Sequence, residues 1–154
     1  MIRFGTYTKY RGHDLRLAEI NGLYRVIYDG SICPFKDFVE YTTNVFYLDL
    51  SKEQVSNAFS VRTYGIYKGY QFEICQLNEN DSIGVVTDDK RAYERLNLDF
   101  RDRGVYQKKI KINELEKLWE EFTPSKLNLP MPEGIEKKKI IHQKDIEKTT
   151  HNNE

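Results

Sequence analysis

Acid–base, nucleophilic and metal chemistry each need particular side chains at short range, and this chain carries few of them. Its 154 residues include three histidines and two cysteines. His13 stands beside Asp14 and near Tyr10, a grouping that would suit proton transfer. It also lies just past a hairpin turn, where a polar residue requires no chemical role, and no second histidine joins it in the patterned part of the chain. His142 and His151 fall in a polar C-terminal stretch at a spacing that matches no metal motif. Cys75 has apolar strand neighbours and reads as a small buried residue. Cys33, next to Pro34, reads as a loop residue with no histidine to activate it. Gly65 and Gly69 lie within a hairpin and lead into no helix, so they form no phosphate cradle. No Ser-His-Asp set is present. The expectation is a protein that is not an enzyme, with no metal site and no cofactor.

The elements that would hold such residues are written more clearly. Val61 to Leu77 reads VRTYGIYKGYQFEICQL, with apolar and aromatic residues alternating on both sides of Gly69. Phe4 to Ile20 aligns with it 57 positions earlier without a gap. Thr6, Tyr7, Tyr10 and Gly12 match Thr63, Tyr64, Tyr67 and Gly69, while Leu15 and Leu17 match Phe72 and Ile74. Unrelated hairpins also favour Tyr, Thr and Gly. The residues after each copy argue for duplication: an apolar run ending in Asp29 or Asp88, then a strand and a capped helix start at Ser51 or Asn113.

In chain order, Phe4 to Tyr10, His13 to Ile20 and Leu23 to Tyr28 read as strands, turned by Arg11-Gly12 and Asn21-Gly22. Gly30 to Asp37 is a loop, and Val39 to Leu50 is strand broken near Thr43-Asn44. Ser51 with Gln54 forms a capping box ahead of Val55, Ala58 and Phe59, which predicts a short amphipathic helix. In the second copy, strands at Val61 to Lys68, Tyr70 to Leu77 and Ser82 to Thr87 precede a short helix, Lys90 to Asn97, capped by Asp88 or Asp89. A strand comes next over Val105 to Ile112. Asn113 with Glu116, then Leu115, Leu118, Trp119 and Phe122, predict the strongest helix of the chain, with Trp119 buried. The expected fold class is α+β: two tandem β-hairpin–strand–strand–helix units, mainly antiparallel sheet, with helices packed on one face. One domain, residues 1–122, would contain pseudo-repeats 3–60 and 61–122. Residues 123–154, with Pro124, Pro130 and Pro132 and only Ile140, Ile141 and Ile146 as late anchors, read as a polar tail, surface-lying or disordered.

Lys plus Arg equals Asp plus Glu at 24 each, so no global field draws the chain to nucleic acid or an anionic membrane. Arg101, Arg103, Lys108, Lys109 and Lys111 alternate with Asp99, Asp102, Glu114 and Glu116, which would repel a phosphate backbone. Two unpatterned cysteines fit reduced cytosolic thiols, and the N-terminus lacks the basic and apolar regions of a signal peptide. No apolar run approaches the ~18 residues of a membrane span. A cytoplasmic monomer is expected. Aromatics make 13% of the residues, and those on exposed strand faces would serve as rigid contact area for a protein partner.

The paired Thr-Tyr-x-x-Tyr-x-Gly hairpins at Thr6 to Gly12 and Thr63 to Gly69, each leading to a capped helix, resemble those of small immunity proteins of Gram-positive bacteria. The resemblance covers about residues 3–122. It implies a non-catalytic cytosolic protein that binds and neutralises a cognate toxin domain, such as a nuclease, and it carries no residue-level contact motif. From the chain alone, the candidate partner-binding residues are Glu79 and Asp81 in a hairpin turn, Asp88 and Asp89 at a helix start, Asp99 and Asp102 in a charged loop, and the tyrosines Tyr7 and Tyr64. Acids at such positions would steer association with a basic cleft. A competing expectation is a small regulatory or ligand-binding domain with a pocket between the repeats.

Overall fold

A computed structural model describes residues 2–141, which divide between two compact units. The first comprises Gly5–Val61 and Phe122–Glu136. Its strands are β1 (Gly5–Tyr10), β2 (His13–Ile20), β3 (Leu23–Asp29), β4 (Val39–Thr42), β5 (Val45–Leu50) and the first residues of β6 (Phe59–Tyr67). They pair antiparallel in the order β4-β5-β3-β2-β1-β6. Strand alternation sends Leu15 and Leu17 of β2, Tyr24 and Val26 of β3, and Leu50 of β5 to one face, where they bury with Val55 and Ala58. Leu127 and Leu129 pack against the same cluster.

The second unit comprises residues 62–121 with the described parts of 1–4 and 137–154. It contains the rest of β6, then β7 (Tyr70–Leu77), β8 (Ser82–Thr87), the helix α1 (Lys90–Leu96), β9 (Asp99–Asp102), β10 (Val105–Lys111), β11 (Lys117–Pro124, to Glu121 here) and β12 (Lys138–Ile140). The strand order is β9-β10-β8-β7-β6-β11-β12. Its core gathers Phe72, Ile74, Ile83, Val85, Ile110, Leu115 and Leu118, with Ala92 of α1.

Both units use one local plan. In the β1–β2 and β6–β7 hairpins the two turn residues have positive φ: 50° and 78° at Arg11-Gly12, 47° and 84° at Lys68-Gly69. That is the primed turn whose twist matches its strands. Each unit also holds a stacked aromatic pair: Tyr7 on Phe59 at 6.1 Å and 28°, Tyr64 on Trp119 at 5.9 Å and 24°.

The fold is not the expected α+β arrangement with helices on a sheet face. Among the described residues it is 54% strand and 9% helical, with α1 the one α-helix. Both predicted capped helices are 3-10 turns that lead towards strands. Ser51 N–H donates to Gln54 Oε1 at 2.9 Å over the turn Lys52–Gln54, after which the chain runs into β6. Lys111 N–H donates to Glu114 Oε2 at 2.7 Å over the turn Ile112–Glu114, so Lys111 rather than Asn113 begins that box. Leu115, Leu118, Trp119 and Phe122 mimic helical spacing because β11 is buried on both faces. Leu118, Glu120 and Phe122 alternate with Trp119, and all four are buried. A strand covered on two sides loses its period of two. The predicted helix at Lys90 to Asn97 does form, over Lys90–Leu96, capped by Asp89 at its start and by Asn97 in the left-handed conformation at its end.

Beyond Phe122, Leu127, Leu129, Met131 and Ile135 lie half-buried in the first unit, and β12 pairs with β11 in the second. His142, Ile146 and His151 lie outside the described residues.

Gly65 on β6 is a test of this packing. A Cβ built there would lie 2.9 Å from Leu115 Cδ2 and 3.0 Å from the Lys117 carbonyl oxygen. Since a backbone atom cannot yield as a side chain can, Gly65→Ala should destabilise the protein by about 1–3 kcal/mol in urea unfolding. An unchanged midpoint would show that β6 and β11 are less closely apposed.

Candidate protein-binding surface at the β9 edge

The second unit's sheet ends at β9, a four-residue strand whose side chains are all exposed. Phe100 on it is 63% exposed, an unusual state for a phenylalanine within a strand. Its cross-strand partner is Tyr106 of β10, ring centroids 6.4 Å apart, and Tyr106 in turn pairs with Thr87 of β8. From α1, Tyr93 stacks on Tyr106 at 4.3 Å and 17°. Three rings therefore run from the helix to the free edge, with the outermost in solvent. On either side of Phe100, Asp99 pairs with Gln107 and Asp102 with Val105, and the register slips between Val105 and Tyr106. Such a bulge interrupts the ladder and twists the edge. Asp88 directly follows Thr87 at the near end of β8.

Of the predicted residues, the structure brings Asp88, Asp99 and Asp102 to this end of the sheet. Asp89 is close by but serves the helix, accepting from Arg91 N–H at 2.9 Å and Ala92 N–H at 3.4 Å. Burial pushes its carboxyl up, and the two amides with the Arg91 side chain outweigh that and hold it below the usual range. Glu79 and Asp81 sit in the turn before Ser82, at the far end of β8. The length of that strand, roughly 16 Å, separates them from the cluster. Tyr7 is buried in the first unit beneath Phe122, Met131 and Ile135 and presents no contact area. Tyr64 is half-buried and committed to Trp119. The rings that matter, Phe100, Tyr106 and Tyr93, were not singled out by the sequence, because only the β9–β10 register places them together.

Charge is handled differently in the two units. In the first, Lys9–Asp14, Arg11–Asp37, Arg16–Asp29, Arg25–Asp49 and Lys52–Glu19 are ion pairs of 2.7 to 3.2 Å, so most charges are satisfied internally. Among the described residues, Glu79, Asp81, Asp88, Asp99 and Asp102 make no ion pair, and each is exposed. Asp102 accepts only the neighbouring Arg103 N–H, at 2.7 Å. No group of three His, Cys, Asp or Glu side chains among the described residues is placed to hold a metal ion. Cys75 is half-buried rather than buried, its Sγ 3.4 Å from the Gly84 carbonyl oxygen and 3.6 Å from Arg101 Nη1. No helix among the described residues is long and apolar enough to cross a membrane.

An antiparallel β scaffold with an exposed aromatic edge is the class these features define. The chain belongs to the family described as uncharacterised conserved protein UCP033725, whose model matches residues 2–128. No curated protein and no solved structure matches it.

Asp89 makes the electrostatics of this end testable. A carboxylate with a lowered folded pKa contributes stability that is full above the ordinary value of about 4 and is lost as pH falls through the lowered one. Asp89→Asn keeps a capping oxygen without the charge. The stability gap between wild type and variant at pH 7 should shrink on acidification, tracked by denaturant midpoints down to pH ~2.5. A gap independent of pH would show that the charge adds nothing to the cap.

Proposed function

We propose that this protein acts by binding another protein, without catalysis, and that β9 with the Phe100–Tyr106–Tyr93 rings is the docking surface. The observation that carries the reading is Phe100, an aromatic anchor 63% exposed on a free sheet edge and backed by two further rings. A rigid aromatic on a preorganised support contributes contact area at small entropic cost, which is why such residues dominate interface energetics. Among the described residues, Asp88, Asp99 and Asp102 around it make no ion pair, which leaves them available for steering.

The partner we propose is a bacterial toxin domain, neutralised in the cytoplasm. This step is supported by the resemblance of the paired Thr-Tyr-x-x-Tyr-x-Gly hairpins to immunity proteins. Asp99 and Asp102 would then meet basic groups of the toxin.

The test is co-expression with the C-terminal domain encoded by the gene immediately upstream, first verified to be toxic, scored by growth rescue and by binding kinetics. Phe100→Ala should weaken binding at least about tenfold, mainly through faster dissociation. Reversing Asp99 and Asp102 to Lys should slow association, and raised salt should mimic part of that loss in the wild type. If the wild type neither binds nor rescues against a verified toxin, the toxin reading fails. If it binds and the variants bind equally well, the surface is wrong.

A further inference from the structure

At the opposite edge of the same sheet, β12 lies along β11 as a three-residue strand with every side chain exposed. Its register sets Ile140 against Trp119, Lys139 against Glu120 and Lys138 against Glu121, and Ile141 N–H donates to the Leu118 carbonyl at 2.9 Å. Trp119 is 4% exposed and stacked on Tyr64, with Lys138 Nζ 4.5 Å from the ring centre and Lys117 Nζ at 5.6 Å. The Trp119 indole N–H donates to Glu121 Oε1 at 3.3 Å. The edge of β11 thus offers a backbone ladder, an aromatic face already engaged by ammonium groups, and the Glu121 carboxylate.

The hold on β12 is slight. At the corresponding place in the first unit, Ala58 N–H donates to the Pro130 carbonyl at 3.0 Å, and the covering segment inserts Leu127, Leu129, Met131 and Ile135. Among the described residues of β12 and its flank, Ile141 alone packs against a core cluster. Among the described residues, the segment that would have to lift is three paired residues with exposed side chains and the adjoining Ile141, so its opening belongs towards the low end of the local-unfolding scale.

We propose that β12 is a removable cover, and that the β11 edge beneath it takes an extended segment of a protein partner carrying Lys or Arg followed two residues later by an aliphatic side chain. The chain's own Lys138-Lys139-Ile140 is the template. Backbone pairing supplies affinity, as in strand addition to any free sheet edge. The cation over Trp119 and the charge of Glu121 supply selectivity. This site uses a different edge from the proposed β9 surface and does not depend on it.

Trp119 is the single tryptophan, so its fluorescence reports the cover directly. The probes are the full-length chain, its Lys138→Ala/Ile141→Ser variant, and a synthetic peptide of sequence KKKII. Acrylamide quenching of Trp119 should rise at least about twofold in the variant, and the peptide should reverse it saturably. A peptide with its second lysine replaced by alanine should bind about tenfold more weakly or worse. Wild type should bind the same peptide with an affinity reduced by the fraction of time the cover is open. Unchanged quenching in the variant, or a peptide that fails to protect Trp119, overturns the proposal. A concentration-dependent dimer that protects Trp119 in place of the peptide overturns the partner in favour of a second copy. Hydrogen exchange on the wild type decides independently of the variant's folding. The Ile141 amide should exchange at least about a hundredfold faster than amides of β7, and equal rates would refute a removable cover.

Discussion

A carboxylate inside a sheet must be paired, and that requirement fixes the strands of the second unit at Glu120. The residue is 4% exposed on β11, and Arg3 meets it with two parallel bonds, Nε to Oε2 at 2.8 Å and Nη2 to Oε1 at 3.2 Å. The Arg3 carbonyl in turn accepts from the Thr63 hydroxyl, itself buried on β6. The start of the chain is thereby fixed to β6 and β11, 60 and 117 residues away. Loss of either charged partner would leave the other buried and uncompensated, a cost of about 3–5 kcal/mol and comparable with the stability of a marginal domain.

The two units apply the same strand plan to different ends. Each begins with a hairpin turned at a basic residue and glycine, and each passes through a 3-10 turn towards the strand that pairs with the hairpin's first strand. In the first unit the stacked pair Tyr7–Phe59 is roofed by Phe122, Met131 and Ile135. In the second, Tyr64–Trp119 is met by the ammonium groups of Lys117 and Lys138. Apolar cover makes one pair part of a core. Charged cover leaves the other beside the β11 edge, which β12 pairs.

The same division runs through the ion pairs. Arginines of the first unit clasp carboxylates in bidentate forks, and the forks of Arg11 and Arg25 hold the Asp37 and Asp49 carboxyls below their ordinary range. Such exposed pairs contribute little stability, but they neutralise the surface that carries them. In the second unit, Asp88, Asp99 and Asp102 have no ion-pair partner among the described residues, and they lie beside its exposed ring. Among the described residues, carboxylates without a counter-charge beside an exposed ring, rather than charge held in forks, distinguish that end.

Local signals in the sequence determined the hairpins, the Asn21-Gly22 turn, the break near Asn44 and an aspartate cap for α1 at Asp88 or Asp89, because each depends on a few adjacent residues and their backbone preferences; the structure chose Asp89. Neighbouring residues assembled no catalytic set. What only the tertiary structure decided is the fate of Val55 to Phe59 and Leu115 to Phe122. Their apolar spacing fits a helix, yet neither segment is one. Val55 and Ala58 are buried by residues of β2, β3 and β5, and Phe59 opens β6 against Tyr7 and Phe122. Lys117 to Phe122 is strand because β11 is covered on both faces by residues distant in sequence. The proposed docking surface was hidden for the same reason. Phe100, Tyr106 and Tyr93 become one surface through the β9–β10 register and the docking of α1, and Tyr7 lost its place in any surface when Phe122, Met131 and Ile135 closed over it. Alternation along a strand says which residues share a face. Which face is covered is decided by long-range packing.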